Sequence, residues 1–132
     1  MTTELAGIAE VTQLILDAEL ARLRRVSDEV ADLRAAIADL DRDVRARAGQ
    51  LAEPRDADCA RMAGRDGPWL DWVAARRRAL MGALADAAAR REAQRVVTRR
   101  AFGRVEAISG LEQLGEAEQK QRAQRRLFTD AR

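Results

Sequence analysis

Hydrophobic positions recur along the first half of the chain with a helical period. From Leu23 the apolar residues fall at Val26, Val30, Leu33, Ile37, Leu40 and Val44, in alternating steps of 3 and 4. Such steps keep one edge of an α-helix facing a neighbouring helix, and three heptads of them predict a coiled-coil seam. Between them lie Arg24, Arg25, Asp28, Asp32, Arg34, Asp39, Asp41 and Arg42, the water-facing side of that helix. Upstream, Leu5, Ile8, Val11, Ile15 and Ala18 form a second apolar stripe, whose phase slip before Leu23 predicts a stutter. Thr2 or Thr3 can accept a hydrogen bond from an early helical N–H, and Glu4 favours a helix start. This first arm, about residues 3–48, would extend roughly 65–70 Å at 1.5 Å per residue.

The periodicity then stops. Residues 49–68 contain Gly49, Pro54, Gly64 and the run Asp66–Gly67–Pro68, all turn formers. Asp66 or Gly67 can cap a new helix with Pro68 at its first position, and a short helical turn fits around Asp56–Met62. A second arm, about 69–126, follows with a looser stripe: Trp69, Trp72 or Val73, Leu80, Ala83 or Leu84, Ala87, Val97, Ala101, Val105, Ile108 and Leu111. Its many steps of 4 suggest a hendecad-like, small-residue seam. Gly82, Gly103, Gly110 and Gly115 each cost about 0.8–1 kcal/mol against Ala inside a helix, so Ser109–Gly110 is the expected kink or break. Residues 127–132 are expected to fray. The fold implied is all-α: one domain, 1–132, forming a long antiparallel two-helix coiled-coil hairpin. A single seam is a modest core for that length, so either the chain dimerises or a larger partner supplies packing.

Composition agrees with long helices. The 132 residues include 28 Ala and no Tyr, and aromatics make up 3%, too few large side chains for a thick globular core. The net charge is only +2 but is unevenly spread. Residues 1–49 carry 7 Arg against 10 acids, and residues 69–132 carry 14 Arg and Lys against 8 acids. The acidic first arm should therefore attract the basic second arm, and the surplus on the second could also meet an acidic partner.

Candidate catalytic chemistry is sparse. His is absent, which removes the commonest general base and metal ligand, and Cys59 is alone, so no intramolecular disulfide or zinc cluster can form. The glycines share no phosphate-loop spacing, and Asp39, Asp41 and Asp43 lack the glycine turn and terminal Glu of a calcium loop. The expectation is a protein that is not an enzyme, with no cofactor, metal or small-molecule substrate. Glu4 and Glu10 stand where a secretory leader would be basic, and no apolar run approaches the roughly 20 residues of a membrane span. A cytoplasmic location without membrane insertion follows as an expectation.

Two patches qualify for partner binding. Trp69 and Trp72 sit one turn apart at the start of the second arm, where they either cap the seam against Val44 or Leu51 or stand exposed as an anchor. Val73 and Arg76 complete that patch. The second is Arg99, Arg100 and Arg104, within a basic stretch that also holds Arg76–Arg78, Arg90, Arg91 and Arg95. These cations either pair with the acidic first arm or face a partner. Near-neutral net charge and the lack of interleaved aromatics disfavour nucleic acid.

The segment PWLDWVAARRRALMGAL, with Trp69 and Trp72 three residues apart, resembles a motif of the flagellar export protein FliJ and type III secretion YscO family. The stretch AFGRVEAISGLEQLGEAEQKQRAQRR is similar to that family's C-terminal arm. The resemblance implies a stalk like the γ subunit of rotary ATPases, its helix ends in an export ATPase ring and its tip touching the export gate or escorted chaperones. Gate-binding positions would map near Trp72, Ala75 and Ala79, and Arg99, Arg100 and Arg104, with Glu4 and Glu10, would supply ring contacts. The expected function is a non-catalytic stalk or adaptor of a bacterial type III or flagellar export ATPase complex, cytoplasmic or peripheral at the inner face of the membrane. The alternative is a self-associating scaffold or chaperone that forms a four-helix bundle; the chain would be a monomer or a homodimer.

Overall fold

A computed structural model describes residues 2–53 and 57–132, the side chain of Thr2 apart. The capping role expected of Thr2, the turn at Pro54 and the start of a helical turn at Asp56 lie outside the described residues. Among those described, all regular structure is helical: α1 spans Thr2–Ala52, α2 Cys59–Met62 and α3 Asp66–Asp130. The chain is all-α, and its two long helices pack on one another.

The helices reach further than the breakers suggest. Gly49 does not end α1, because the Glu53 N–H still reaches the Gly49 carbonyl at 3.3 Å. α3 begins at Asp66, with the Trp69 N–H bonded to the Arg65 carbonyl at 3.1 Å. Pro68 therefore lies within the first turn, where a missing N–H has no intrahelical partner to lose. No break occurs at Ser109–Gly110, and the helix continues to Asp130. One glycine costs about 1 kcal/mol, which is too little to interrupt a helix propagating from both sides.

The connection is built by local capping. The Asp58 carboxylate accepts from the Arg61 N–H at 3.1 Å and starts α2. At its other end Gly64 has φ +68°, the one positive φ among the described residues. The Gly64 N–H reaches the Arg61 carbonyl at 3.1 Å and the Arg65 N–H reaches the Ala60 carbonyl at 3.0 Å. Those paired bonds are a Schellman stop, and the left-handed residue in it favours glycine.

The chain packs as two compact units: the described residues of Arg24–Glu92, and those of Met1–Leu23 with Ala93–Arg132. In the first, α1 turns Val26, Val30, Leu33, Ile37, Leu40, Val44, Arg47 and Leu51 inward, and Val30 is 1% exposed. The heptad read from the sequence is this buried edge. Facing positions on α3 are Asp66, Trp69, Val73, Leu80, Leu84, Ala87 and Arg91. Asp41 takes the Arg77 Nε–H at 3.0 Å, and Glu29 takes two bonds from Arg90 at 2.7 and 3.0 Å. Partners on α1 fall in number as those on α3 rise. The pairing expected between an acidic first arm and a basic second one is present at these points, and Arg90 holds the Glu29 carboxyl below its usual range.

In the other unit the inward positions on α1 are Leu5, Ala9, Thr12, Leu16, Glu19 and Leu23. Their steps of 4 and 3 continue the same heptad, so the expected stutter is absent. Ile8, Val11 and Ile15 are instead 49%, 55% and 41% exposed. The reason is that Thr12 and Glu19 occupy seam positions and are satisfied there. The Glu19 carboxylate is 8% exposed as a residue and accepts from the Gln94 amide, while Arg22 pairs with it on the same helix. Thr98 donates to the Gln94 carbonyl at 2.8 Å. On α3 the seam is Gln94, Thr98, Ala101, Val105, Ile108, Glu112 and Gly115, a heptad spacing in place of the hendecad-like one. Val97 and Leu111, expected in the seam, are 43% and 52% exposed.

Candidate protein-binding site

A polar cluster joins all three helices, and it begins with an arginine in a seam. Arg47 follows Val44 by three residues and precedes Leu51 by four, so α1 aims it inward. Its Nε–H and one Nη2–H grip the two Asp66 oxygens at 2.7 and 3.0 Å. Nη2 also reaches Asp58 Oδ1 at 3.0 Å, and Nη1 reaches Asp58 Oδ2 at 2.9 Å and Gln50 Oε1 at 3.0 Å. Four guanidinium hydrogen bonds and the ion pair to Asp58 Oδ2 thus surround the group, and the side chain is 17% exposed. Two forked carboxylates on one guanidinium are a geometry that Lys could not reproduce. Hydrogen bonds from Arg47 hold the Asp58 and Asp66 carboxyls below their usual range, and the same bonds push the guanidinium higher still.

This clasp fixes the first turn of α3, and with it the two tryptophans. Trp69 is half-buried and lines a groove with Ala46, Arg47, Gln50, Ala60 and Asp66. Trp72, one turn on, is 57% exposed. The pair is divided: Trp69 packs against α1 and Trp72 offers its indole to water. Val73 is 5% exposed and belongs to the seam, so it offers no surface to a partner. Arg76 is exposed, as are Ala75 and Ala79. Leu70 and Met81 add apolar surface to this unit at 46% and 44% exposure.

Arg99, Arg100 and Arg104 belong to the other unit, and all three are exposed. Most of the large apolar side chains left open to solvent are there too, including Val96, Val97, Phe102, Leu111 and Leu114 on α3. Glu4 and Glu10 are likewise exposed on α1. Asp39, Asp41 and Asp43 form an edge of α1, and two of them already hold arginines: Asp39 takes Arg42 at 2.7 Å and Asp41 takes Arg77. Cys59 is exposed at the start of α2. No helix among the described residues is long and apolar enough to cross a membrane.

Arg47 and Glu19 are the charged seam residues that hydrophobic pattern reading passes over. A signal for both exists in the sequence: each is a charged residue at a position where an extended 3,4 spacing calls for an apolar one. Compared with protein-family models, with curated proteins and with solved structures, the chain finds no match.

Proposed function

We propose that the chain is a non-catalytic stalk or adaptor of a bacterial type III or flagellar export ATPase complex, built as an antiparallel coiled-coil hairpin. The observation that carries a protein-binding role is the imbalance between seam and surface. The seam buries Ala87, Ala101, Thr98 and Glu19 beside Leu16, Val30, Ile37, Val73 and Leu80, while Trp72, Phe102, Leu111 and Leu114 are left in water. Large apolar groups left exposed in this number are what a partner surface offers. The export machinery as that partner comes from the likeness of the Pro68–Leu84 and Ala101–Arg126 segments to the FliJ and YscO family. In this reading Arg99, Arg100 and Arg104 touch the ATPase ring, and Trp72 touches the gate or a chaperone. The stalk acts mechanically, as an asymmetric insert that biases the conformations of ring subunits.

The test is ATP hydrolysis by the cognate export ATPase with and without the purified chain. Stimulation is expected, together with co-purification, and R99E/R100E/R104E should abolish it while leaving the helical circular dichroism unchanged. Absence of both stimulation and co-purification overturns the export role.

A further inference from the structure

In the unit formed by the chain's two ends, a second stripe runs beside the seam. Glu29 and Arg90, which pair across the helices of the other unit, each stand one residue ahead of a seam residue whose next seam neighbour is three residues on, Val30 and Arg91. In an antiparallel pair, then, residues in that position on the two helices line the same side. The same rule applied to the unit of Glu19 and Thr98 collects Ile8 and Ile15 from α1 with Arg104 and Leu111 from α3. Val11 and Leu114 extend it outward by one helical row. These four apolar side chains from Ile8, Val11, Leu111 and Leu114 are between 49% and 65% exposed.

Charge along this face is graded. Glu4 lies a turn before Ile8, and Glu118 lies a turn past Leu114, so both acids flank one end of the apolar patch. Arg100 and Arg104 lie on the opposite side of Leu111, toward the Glu19–Thr98 layer. The face is therefore acidic, apolar and basic in order. A surface with that order is complementary to itself when turned end for end about a two-fold axis.

We propose that this face pairs with the same face of a second copy of the chain, making a four-helix layer in which Ile8, Val11, Leu111 and Leu114 meet their equivalents. Arg100 and Arg104 of each copy then face Glu4 and Glu118 of the other. A uniformly basic face would have called for an acidic partner; the graded one matches itself. The pairing does not depend on the export reading, but it covers Arg100 and Arg104, so a partner that uses those residues competes with the second copy.

Sedimentation equilibrium of the whole chain across micromolar concentrations tests it. A reversible dimer is expected, and L111E, at an exposed position, should weaken it by at least about tenfold in Kd. The decisive comparison uses charge reversal. R100E/R104E alone and E4R/E118R alone should each be monomeric, and an equimolar mixture of the two should recover a heterodimer. A wild-type chain that stays monomeric at 100 µM (about the highest concentration such a contact needs) overturns the proposal. So does a dimer indifferent to all these substitutions, or two reversed variants that do not associate when mixed. Export ATPase stimulation by a chain that fails to dimerise would leave the proposed function standing and remove only this pairing.

Discussion

Single residues here act with opposite sign according to local geometry, and glycine shows it best. Gly64 sits at φ +68°, where a Cβ is strained whatever space surrounds it, so Gly64→Ala should destabilise the chain by about 1 kcal/mol. Gly82 and Gly103 are helical and an added Cβ would meet nothing within 4 Å. Gly82→Ala and Gly103→Ala should each stabilise by about 0.8–1 kcal/mol. Urea titrations of the three variants read the contrast directly. A second prediction concerns acid. Because Arg47 bonds hold Asp58 and Asp66 below their usual 3.8, the folded state binds those protons less readily than the unfolded chain. Their contribution is fully present above that usual value and is lost as pH falls through the lowered ones. Thermal melts should show D58N/D66N losing less stability than wild type between pH 5 and about pH 2.5; identical slopes would mean that the clasp is not formed in solution.

At the scale of the element, what distinguishes α1 is a heptad kept in phase through two charged seam residues. Leu16 and Ile15 are adjacent and similar in size, yet Leu16 is buried and Ile15 is 41% exposed. Leu16→Ala should cost about 2–3 kcal/mol, and Ile15→Ala under about 0.5 kcal/mol. A stutter before Leu23 would reverse that order, so the two denaturation midpoints decide the register. Glu19 contributes in another way: a polar residue in a seam penalises alternative registers, in which its partners Gln94 and Thr98 are no longer opposite. At the connection, Arg47 does the comparable task by tying α1 to the starts of α2 and α3.

On the scale of the whole chain, few large side chains are buried and many are presented. Trp72 illustrates how the proposed binding role separates from stability. At 57% exposure its removal should change the unfolding free energy by no more than about 0.5 kcal/mol, whereas partner binding by the Trp72→Ala chain should fall by tenfold or more. Trp69, half-buried in its groove with Arg47, should show the reverse balance. Parallel melts and pull-downs with the two single variants separate these roles; a destabilised Trp72→Ala would place that indole in the core instead.

The all-α class, the two long helices and the break between them were legible in the sequence, because helix propensity and the 3,4 spacing of residues 23–44 are local properties. So was the placing of Trp69 and Trp72 one turn apart at the start of the second long helix. The sequence could not determine which apolar stripe of α1 is buried before Leu23, since Ile8, Val11 and Ile15 outscore Thr12 and Glu19 on hydrophobicity. That choice was made by packing: Gln94 and Thr98, 75 and 79 residues away, satisfy Glu19 and keep the heptad in phase. The fate of the two tryptophans was decided in the same way. Arg47 fixes where α3 begins, and a helix started at Asp66 turns Trp69 and Val73 inward and leaves Trp72 in water. Partners distant in the chain set the energy of a buried charge, so only the tertiary structure could assign it.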